Sequence, residues 1–241
     1  MDVIVDLWKK RTLAFIKKGL ADFLYLSLTD YMQHTYAPEA GESLAFYEAM
    51  DKEIGKLLEL GAIVGATADH GMNAKVKADG KPNVLFVEVM LEEKFGGNGF
   101  RVICPITDPY VKHHGALGSY VVVHLSDKSK INEVKNWLSL QSGITEVYDK
   151  ATAVRILEQP EDRIGDLVVM SGRDVVVGRR PEYHDLSALD GTLRSHGGRY
   201  EEMVPMVISH PLNATYKMKA AGDPRNFDIF DFTVNGTSES K

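Results

Sequence analysis

The sequence contains a single cysteine, no excess of basic residues and no long apolar run, and each of these features excludes a class of protein. Cys104 has no partner for a disulfide within the chain, so we expect a reducing, cytoplasmic environment. The net charge of −6 argues against a nucleic-acid partner. No apolar stretch reaches membrane-spanning length, and the charged, amphipathic N-terminus lacks a secretory signal. The expected protein is a soluble globular one without a membrane partner.

The first part of the chain alternates between helix and strand patterns. Helical periodicity is found over residues 2–18 and 40–60, and apolar runs at 23–28 and 62–66 predict short strands. Mostly apolar strands that alternate with helices are typical of a parallel sheet covered on both faces. We therefore predict an α/β fold with a mainly parallel sheet, to which residues 204–209 add a return strand.

A different mixture of elements follows between these segments. It consists of a helix pattern at 85–95, strand patterns at 101–106 and 119–125, a helix pattern at 131–138 and a hairpin pattern at 167–177. We predict that residues 1–106 and 187–241 form an α/β core. Residues 107–186 are then an inserted α+β cap subdomain.

A carboxylate and an imidazole stand side by side in the segment ATADHGMNAK, residues 66–75, directly after a predicted strand. Ligands bind at strand ends in α/β sheets, and a buried charge without a partner is costly, so Asp69 and His70 are candidate metal ligands. The alternative is a turn in which Asp69 caps a helix. Lys75 is either close enough to contact an anionic substrate or an ordinary surface lysine.

Two further segments carry side chains of the same type. Asp30 and His34 are four residues apart, which places both on one face of a helical turn. His196 lies in the sequence SHGG, whose glycines allow close approach to a ligand, although a surface turn is the alternative. The candidates form two ligand sets: Asp30, His34 and His196, and Asp69 with His70. Such ligands suit zinc, with manganese or iron as lesser alternatives, and two ions about 4 Å apart can assist a phosphoryl-type displacement.

The segments that contain these candidates are LSLTDYMQH (26–34), TADHGMNAK (67–75) and SHGG (195–198). Residues 105–120 are a further segment that supports the same resemblance. Together they resemble phosphonoacetate hydrolase, a member of the alkaline phosphatase superfamily, over most of residues 20–210. The resemblance implies an α/β/α core and two zinc ions held by the two ligand sets, with His34 and His196 beside a small anionic phosphonate. It also implies cleavage of the carbon–phosphorus bond of phosphonoacetate to acetate and phosphate.

The sequence departs from the family pattern in one respect. The family's first metal-binding aspartate, its threonine nucleophile and its substrate lysines precede the residues found here. Thr29, Thr67 and Thr192 do not match the nucleophile position, so no catalytic residue is assigned. We therefore expect a C-terminal portion without the leading strands of the core, with one zinc ion and an exposed edge that favours a homodimer. The alternatives are a phosphodiesterase or nucleotide pyrophosphatase of the same superfamily and a non-catalytic zinc-binding fragment.

Overall fold

A computed structural model describes residues 18–19, 21–105, 116–187, 189 and 192–238. Residues 2–17 of the predicted N-terminal helix and the family-like residues 106–115 lie outside this part of the chain. The chain divides into two compact units: unit 1 comprises residues up to Asp69 and from Val204 onward, and unit 2 comprises His70–Met203. The predicted insert, residues 107–186, falls within unit 2, and its boundaries as a separate subdomain stay a prediction.

Helices and strands are mixed along the described chain. The helices are α1 Tyr31–Thr35, α2 Gly41–Glu59, α3 Val87–Phe95, α4 Ile131–Leu138, α5 Lys150–Leu157, α6 Ala214–Ala220 and α7 Ile229–Asn235. The strands are β1 Gly65–Thr67, β2 Asn73–Ala74, β3 Val84–Phe86, β4 Phe100–Ile103, β5 Tyr120–Leu125, β6 Ile144–Asp149, β7 Leu167–Ser171, β8 Val176–Gly178, β9 Arg194–Ser195 and β10 Met206–Ile208. None of the helices among these residues combines the length and the apolar composition needed to cross a bilayer.

Unit 1 is built around a two-stranded ladder and two packed helices. β1 and β10 pair antiparallel with Gly65 opposite Ile208, which confirms the predicted return strand. A side chain at Gly65 would overlap Thr233 of α7, so glycine is what allows this helix to approach the strand. Helix α2 confirms the prediction for residues 40–60 and buries Phe46 and Leu57 on one side.

Unit 2 is centred on a four-stranded antiparallel sheet with strand order β4-β5-β7-β6. Successive residues of β5 face opposite sides of this sheet. Val121 and Val123 join the larger apolar cluster, which includes Leu138 of α4, whereas Val122 joins a second cluster with Ala153 of α5. Both faces of the sheet are therefore covered by helices, which explains the continuous apolar run in β5.

The α/β class is confirmed, but three finer predictions are wrong for the described residues. Among the ladders of the described residues, β3–β8 is parallel and the others are antiparallel, so the sheet is not mainly parallel there. The predicted 167–177 hairpin is also absent, because β8 pairs with β3 and β7 pairs with β5 and β6. Residues 23–28 form no strand. The physical reason is that a short apolar run can identify a buried extended segment but not the direction or identity of its partner.

Candidate functional site

The first pair of candidate ligands, Asp30 and His34, lies in unit 1 at helix α1. The helix begins directly after Asp30, and the backbone N–H of His34 donates to the carbonyl of Asp30 over 3.0 Å. This single turn brings His34 Nε2 to 3.2 Å from Asp30 Oδ2, so the predicted common face is confirmed. The Asp30 carboxylate makes no capping bond to the helix and is directed at the imidazole instead. His34 is buried, with 9% of its surface exposed.

The spacing of these two atoms fits ligands of one cation. Two donors about 2.1 Å from a tetrahedral zinc ion lie roughly 3.4 Å apart, and imidazole nitrogen with carboxylate oxygen is a common zinc donor set. The 3.2 Å between His34 Nε2 and Asp30 Oδ2 is close to that separation. It equally suits an ion pair between a protonated imidazole and the carboxylate. The pair can thus hold either a proton or a metal ion.

The second pair, His70 and His196, lies in unit 2. Strand β2 follows His70 and pairs with β9, which precedes His196, with Asn73 opposite Ser195. The two imidazole rings stack with their centroids 3.6 Å apart and their planes 5° apart. The two rings are therefore nearly parallel and lie in van der Waals contact.

The tautomer of His70 follows from its backbone contact. Its Nδ1 lies 3.0 Å from the carbonyl oxygen of Gly71, and a carbonyl can only accept a hydrogen bond. Nδ1 therefore carries the proton, and the lone pair of the neutral ring is on Nε2. A hydrogen bond of this kind is how proteins orient a metal-binding imidazole.

The glycines after His196 have different structural roles. Gly197 adopts a φ of +99°, which disfavours any residue with a side chain. Gly198 has ordinary backbone angles, but a Cβ there would lie 2.8 Å from the Cβ of Ser119. The close approach seen at Gly198 is to Ser119 of unit 2, and close approach to a ligand stays a prediction.

Asp69 is the last residue of unit 1 and is exposed. Its carbonyl and that of Ala68 accept from the side-chain amide of Asn226, over 3.4 and 3.2 Å. Residues 70–72, which follow Asp69, have no regular secondary structure and lead into β2, with no helix. The alternative in which Asp69 caps a helix is therefore wrong.

Both sequence-based interpretations of Lys75 are also wrong, because this side chain is completely buried. Its ammonium donates to Ser119 Oγ over 2.7 Å and to Glu201 Oε1 over 2.9 Å. Burial lowers the pKa of Lys75, and the hydrogen bond to Glu201 opposes that shift. Sequence reasoning missed Ser119 and Glu201, since neither belongs to a motif of its own.

The structure thus joins the candidates pairwise within each unit. Asp30 is in contact with His34, and His70 is in contact with His196. The predicted grouping into one three-ligand set and one two-ligand set draws on both units and stays a prediction.

The chain is similar to proteins of a known family and to several solved structures. The type I phosphodiesterase / nucleotide pyrophosphatase family matches residues 19–199. A crystal structure of phosphonoacetate hydrolase from Sinorhizobium meliloti 1021 in complex with phosphonoformate matches with a TM-score of 0.82 and 42% identity, covering 93% of this chain and 54% of that one. The same enzyme with phosphonoacetate gives a TM-score of 0.81. Murine ectonucleotide pyrophosphatase / phosphodiesterase 5, at 17% identity and a TM-score of 0.56, shares the fold over 85% of this chain and 52% of its own. The chain therefore spans about half the length of these relatives.

Proposed function

The chain belongs to the type I phosphodiesterase / nucleotide pyrophosphatase family, within the alkaline phosphatase superfamily, and on this premise we propose that it carries metal-binding machinery of a phosphonoacetate hydrolase. The proposed reaction is phosphonoacetate plus water to acetate plus phosphate. The observation that carries the proposal is 42% identity over 93% of the chain to an enzyme solved with phosphonoacetate and phosphonoformate. The substrate class is therefore a small phosphonate that also carries a carboxylate.

The proposal assigns five ligands to two zinc positions, and because the second position has two ligands in this chain, we expect it to bind zinc weakly and the first position to hold one ion. One ion is assigned to Asp30, His34 and His196, and the second to Asp69 and His70. The 3.2 Å spacing of His34 Nε2 and Asp30 Oδ2 supports the first assignment, and the lone pair on His70 Nε2 supports the second. When bound, zinc supplies charge stabilisation to a phosphoryl group.

The chain's own residues are proposed to orient the substrate and to exclude water. His34 and His196 are both 9% exposed, so a phosphonate next to either ring sits in a site with limited access to solvent. Electrostatic attraction to an anionic substrate is stronger in such a site than in water. No nucleophile is assigned to this chain.

The experiment is to measure zinc per chain and phosphate release from phosphonoacetate on the same sample. We expect the parent chain to bind zinc. We expect the His34→Ala and His196→Ala variants to bind it with at least tenfold lower affinity. His210→Ala is the matched control, because His210 is not a proposed ligand and its Nδ1 lies 2.8 Å from the hydroxyl oxygen of Ser209. Unchanged zinc affinity in both test variants would refute the ligand assignment. Zinc without turnover would support the non-catalytic zinc-binding alternative.

A second candidate activity, hydrolysis of a phosphodiester or nucleotide pyrophosphate, is favoured by the family match over residues 19–199. The two activities differ in the leaving group, which is a carbon atom in phosphonoacetate and an oxygen atom in a diester. Release of nitrophenol from bis-nitrophenyl phosphate, with no phosphate released from phosphonoacetate, would establish the second candidate over the first.

The predicted homodimer has support from one surface of unit 1. Phe23 and Tyr25 lie with their ring centroids 6.1 and 6.0 Å from that of Phe230. These three rings are 53%, 71% and 44% exposed, and clustered exposed aromatic residues mark interaction surfaces. Sedimentation of the chain and of Phe230→Ser tests the proposal, which a monomeric parent chain would refute. The cytoplasmic location and the absence of nucleic-acid and membrane partners stay predictions from the sequence.

A further inference from the structure

We propose that the buried ion pair of Lys75 and Glu201 is a positioning element that fixes the separation of His70 and His196. The inference rests on the proposed function, because it assumes that both imidazoles bind metal. It concerns only contacts within unit 2, and it assigns a role to two residues that are themselves not ligands.

The Lys75 ammonium uses all of its hydrogen-bonding capacity inside the protein. Its three donors go to Ser119 Oγ at 2.7 Å, to the Arg173 carbonyl at 2.8 Å and to Glu201 Oε1 at 2.9 Å. The side chains of Lys75 and Glu201 are 0% and 1% exposed. Burying two charges costs free energy that an apolar pair would not, so such a pair is weak evidence for stability and stronger evidence for a geometric role.

Glu201 connects the segment after His70 with the segment after His196. On the first side, its carbonyl accepts from the backbone N–H of Gly71 over 2.7 Å, and its Oε1 accepts from the Asn73 side chain over 2.6 Å. On the second side, its Oε2 accepts from the backbone N–H of Gly198 over 2.9 Å. One carboxylate thus holds both histidine-bearing segments.

Lys75 reaches His196 by a second route, through Ser119. The Ser119 hydroxyl accepts from the ammonium, while the Ser119 backbone N–H donates to the carbonyl of His196 over 2.8 Å. The ion pair is therefore joined to the backbone beside each imidazole. The nearly parallel rings, 3.6 Å apart, are the geometry that these contacts maintain.

This arrangement has a consequence for metal binding. His70 and His196 are assigned to different zinc ions, so a displacement of one segment relative to the other changes both sites at once. Groups that orient metal ligands typically contribute 10–100-fold to metal affinity. We expect loss of the ion pair to lower the zinc affinity of each position that is occupied.

The test compares Lys75→Met, Glu201→Gln and the double variant with the parent chain. Two quantities are measured: zinc affinity by chelator competition, and the ring-proton NMR shifts of His70 and His196 in the zinc-free protein. We expect Lys75→Met to bind zinc about 10–100-fold more weakly and to lose the ring-current shifts of the stacked imidazoles. The double variant should recover thermal stability, since no unpaired buried charge remains, without recovering zinc affinity.

Lys56→Met is the matched control. Lys56 pairs with Glu53 over 2.8 Å on helix α2, with the lysine side chain 38% exposed. This variant removes a lysine–glutamate pair of nearly the same length, 2.8 Å against 2.9 Å for Lys75 and Glu201, and we expect parental zinc affinity. A folded Lys75→Met chain with parental zinc affinity and unchanged ring shifts would overturn the inference. If that variant does not fold, Ser119→Ala tests the same link: a several-fold loss of affinity supports the inference, and parental affinity overturns it.

The outcomes separate this inference from the proposed function. If the parent chain binds zinc but releases no phosphate, the proposed activity is refuted. The zinc affinities and ring-proton shifts of the variants still decide the positioning role. If the parent chain hydrolyses the substrate and Lys75→Met binds zinc with parental affinity, the positioning role alone is refuted. A parent chain that binds no zinc overturns both.

Discussion

Replacing Gly198 by alanine should destabilise unit 2 through one identifiable contact. A Cβ at this position would lie 2.8 Å from the Cβ of Ser119 and 3.3 Å from Glu201 Oε2. Two carbon atoms prefer a separation of about 3.5–4.0 Å, so the contact with Ser119 is an overlap. The Cβ of Ser119 is attached directly to its backbone and cannot rotate away. The backbone N–H of Ser119 also donates to the His196 carbonyl, so relief of the overlap moves that bond as well.

The expected magnitude follows from two opposing effects. Overpacking a close contact costs about 1–3 kcal/mol, whereas replacing glycine restricts the unfolded chain and returns about 0.4–1 kcal/mol. Taking the middle of each range, the net loss of unfolding free energy for Gly198→Ala is about 1.3 kcal/mol. Gly99→Ala is the matched control, because a Cβ there meets no atom within 4 Å. This control should be neutral or up to about 1 kcal/mol more stable than the parent.

The assay is urea unfolding of the zinc-free chain, followed by the fluorescence of Trp137 in a Trp8→Phe background. Trp137 packs against the core of unit 2 and reports its unfolding. Equal slopes in the parent and both variants allow the midpoints to be compared as free energies. The reasoning would be refuted if Gly198→Ala were as stable as Gly99→Ala, because the overlap with Ser119 would then cost nothing.

Three further predictions concern unit 2. Leu138→Ala should cost about 2–5 kcal/mol of unfolding free energy in the same urea assay, because the side chain is fully buried between α4 and the sheet, and a cost under about 1 kcal/mol would contradict this packing. The hydrogen bond from Lys135 lowers the pKa of Asp149, which also accepts from the N–H of Thr152 at the start of α5. The stabilisation that Asp149 contributes is complete above its unfolded pKa of about 3.9 and is lost as the pH falls through its lower folded pKa. Asp149→Ala should therefore have a free energy of unfolding about 1 kcal/mol lower than the parent chain at pH 7. On acid titration, the free energy of unfolding of this variant should fall less than that of the parent chain. Burial raises the pKa of the Cys104 thiol to about 11, so iodoacetamide at pH 7 should alkylate the folded chain on the order of 100-fold more slowly than the urea-unfolded chain, and equal rates would contradict the burial.

Elements defined by a strong local pattern could be predicted from the sequence. Helix α2 follows from its apolar periodicity, and β5 follows from a run of β-branched residues. The contact between Asp30 and His34 follows from their spacing, because a single helical turn suffices to produce it. In each case the information lies within a few neighbouring residues.

Features that depend on distant segments could not be predicted. The parallel pairing of β8 with β3 joins Val176 to Val84, and nothing in either strand's own sequence specifies that partner. The burial of Lys75 depends on Glu201, far along the chain, whereas an isolated lysine is expected at the surface. The stacking of His70 on His196 likewise requires the β2–β9 ladder, two residues long in each strand and too short to leave a periodic signal.

The division of unit 1 into two separated stretches has a consequence for synthesis in the cell. β1 emerges from the ribosome ahead of its partner β10 by roughly 140 residues, which at about 5–20 residues per second is a delay of about 7–30 s. During this interval the N–H and C=O groups of β1 have no ladder partner, and helix α7, which packs against the strand, has not been made. All of the residues of unit 2 are made before Val204 is translated. The order of translation therefore allows unit 2 to fold first, and it leaves the β1 edge unpaired until β10 has been translated.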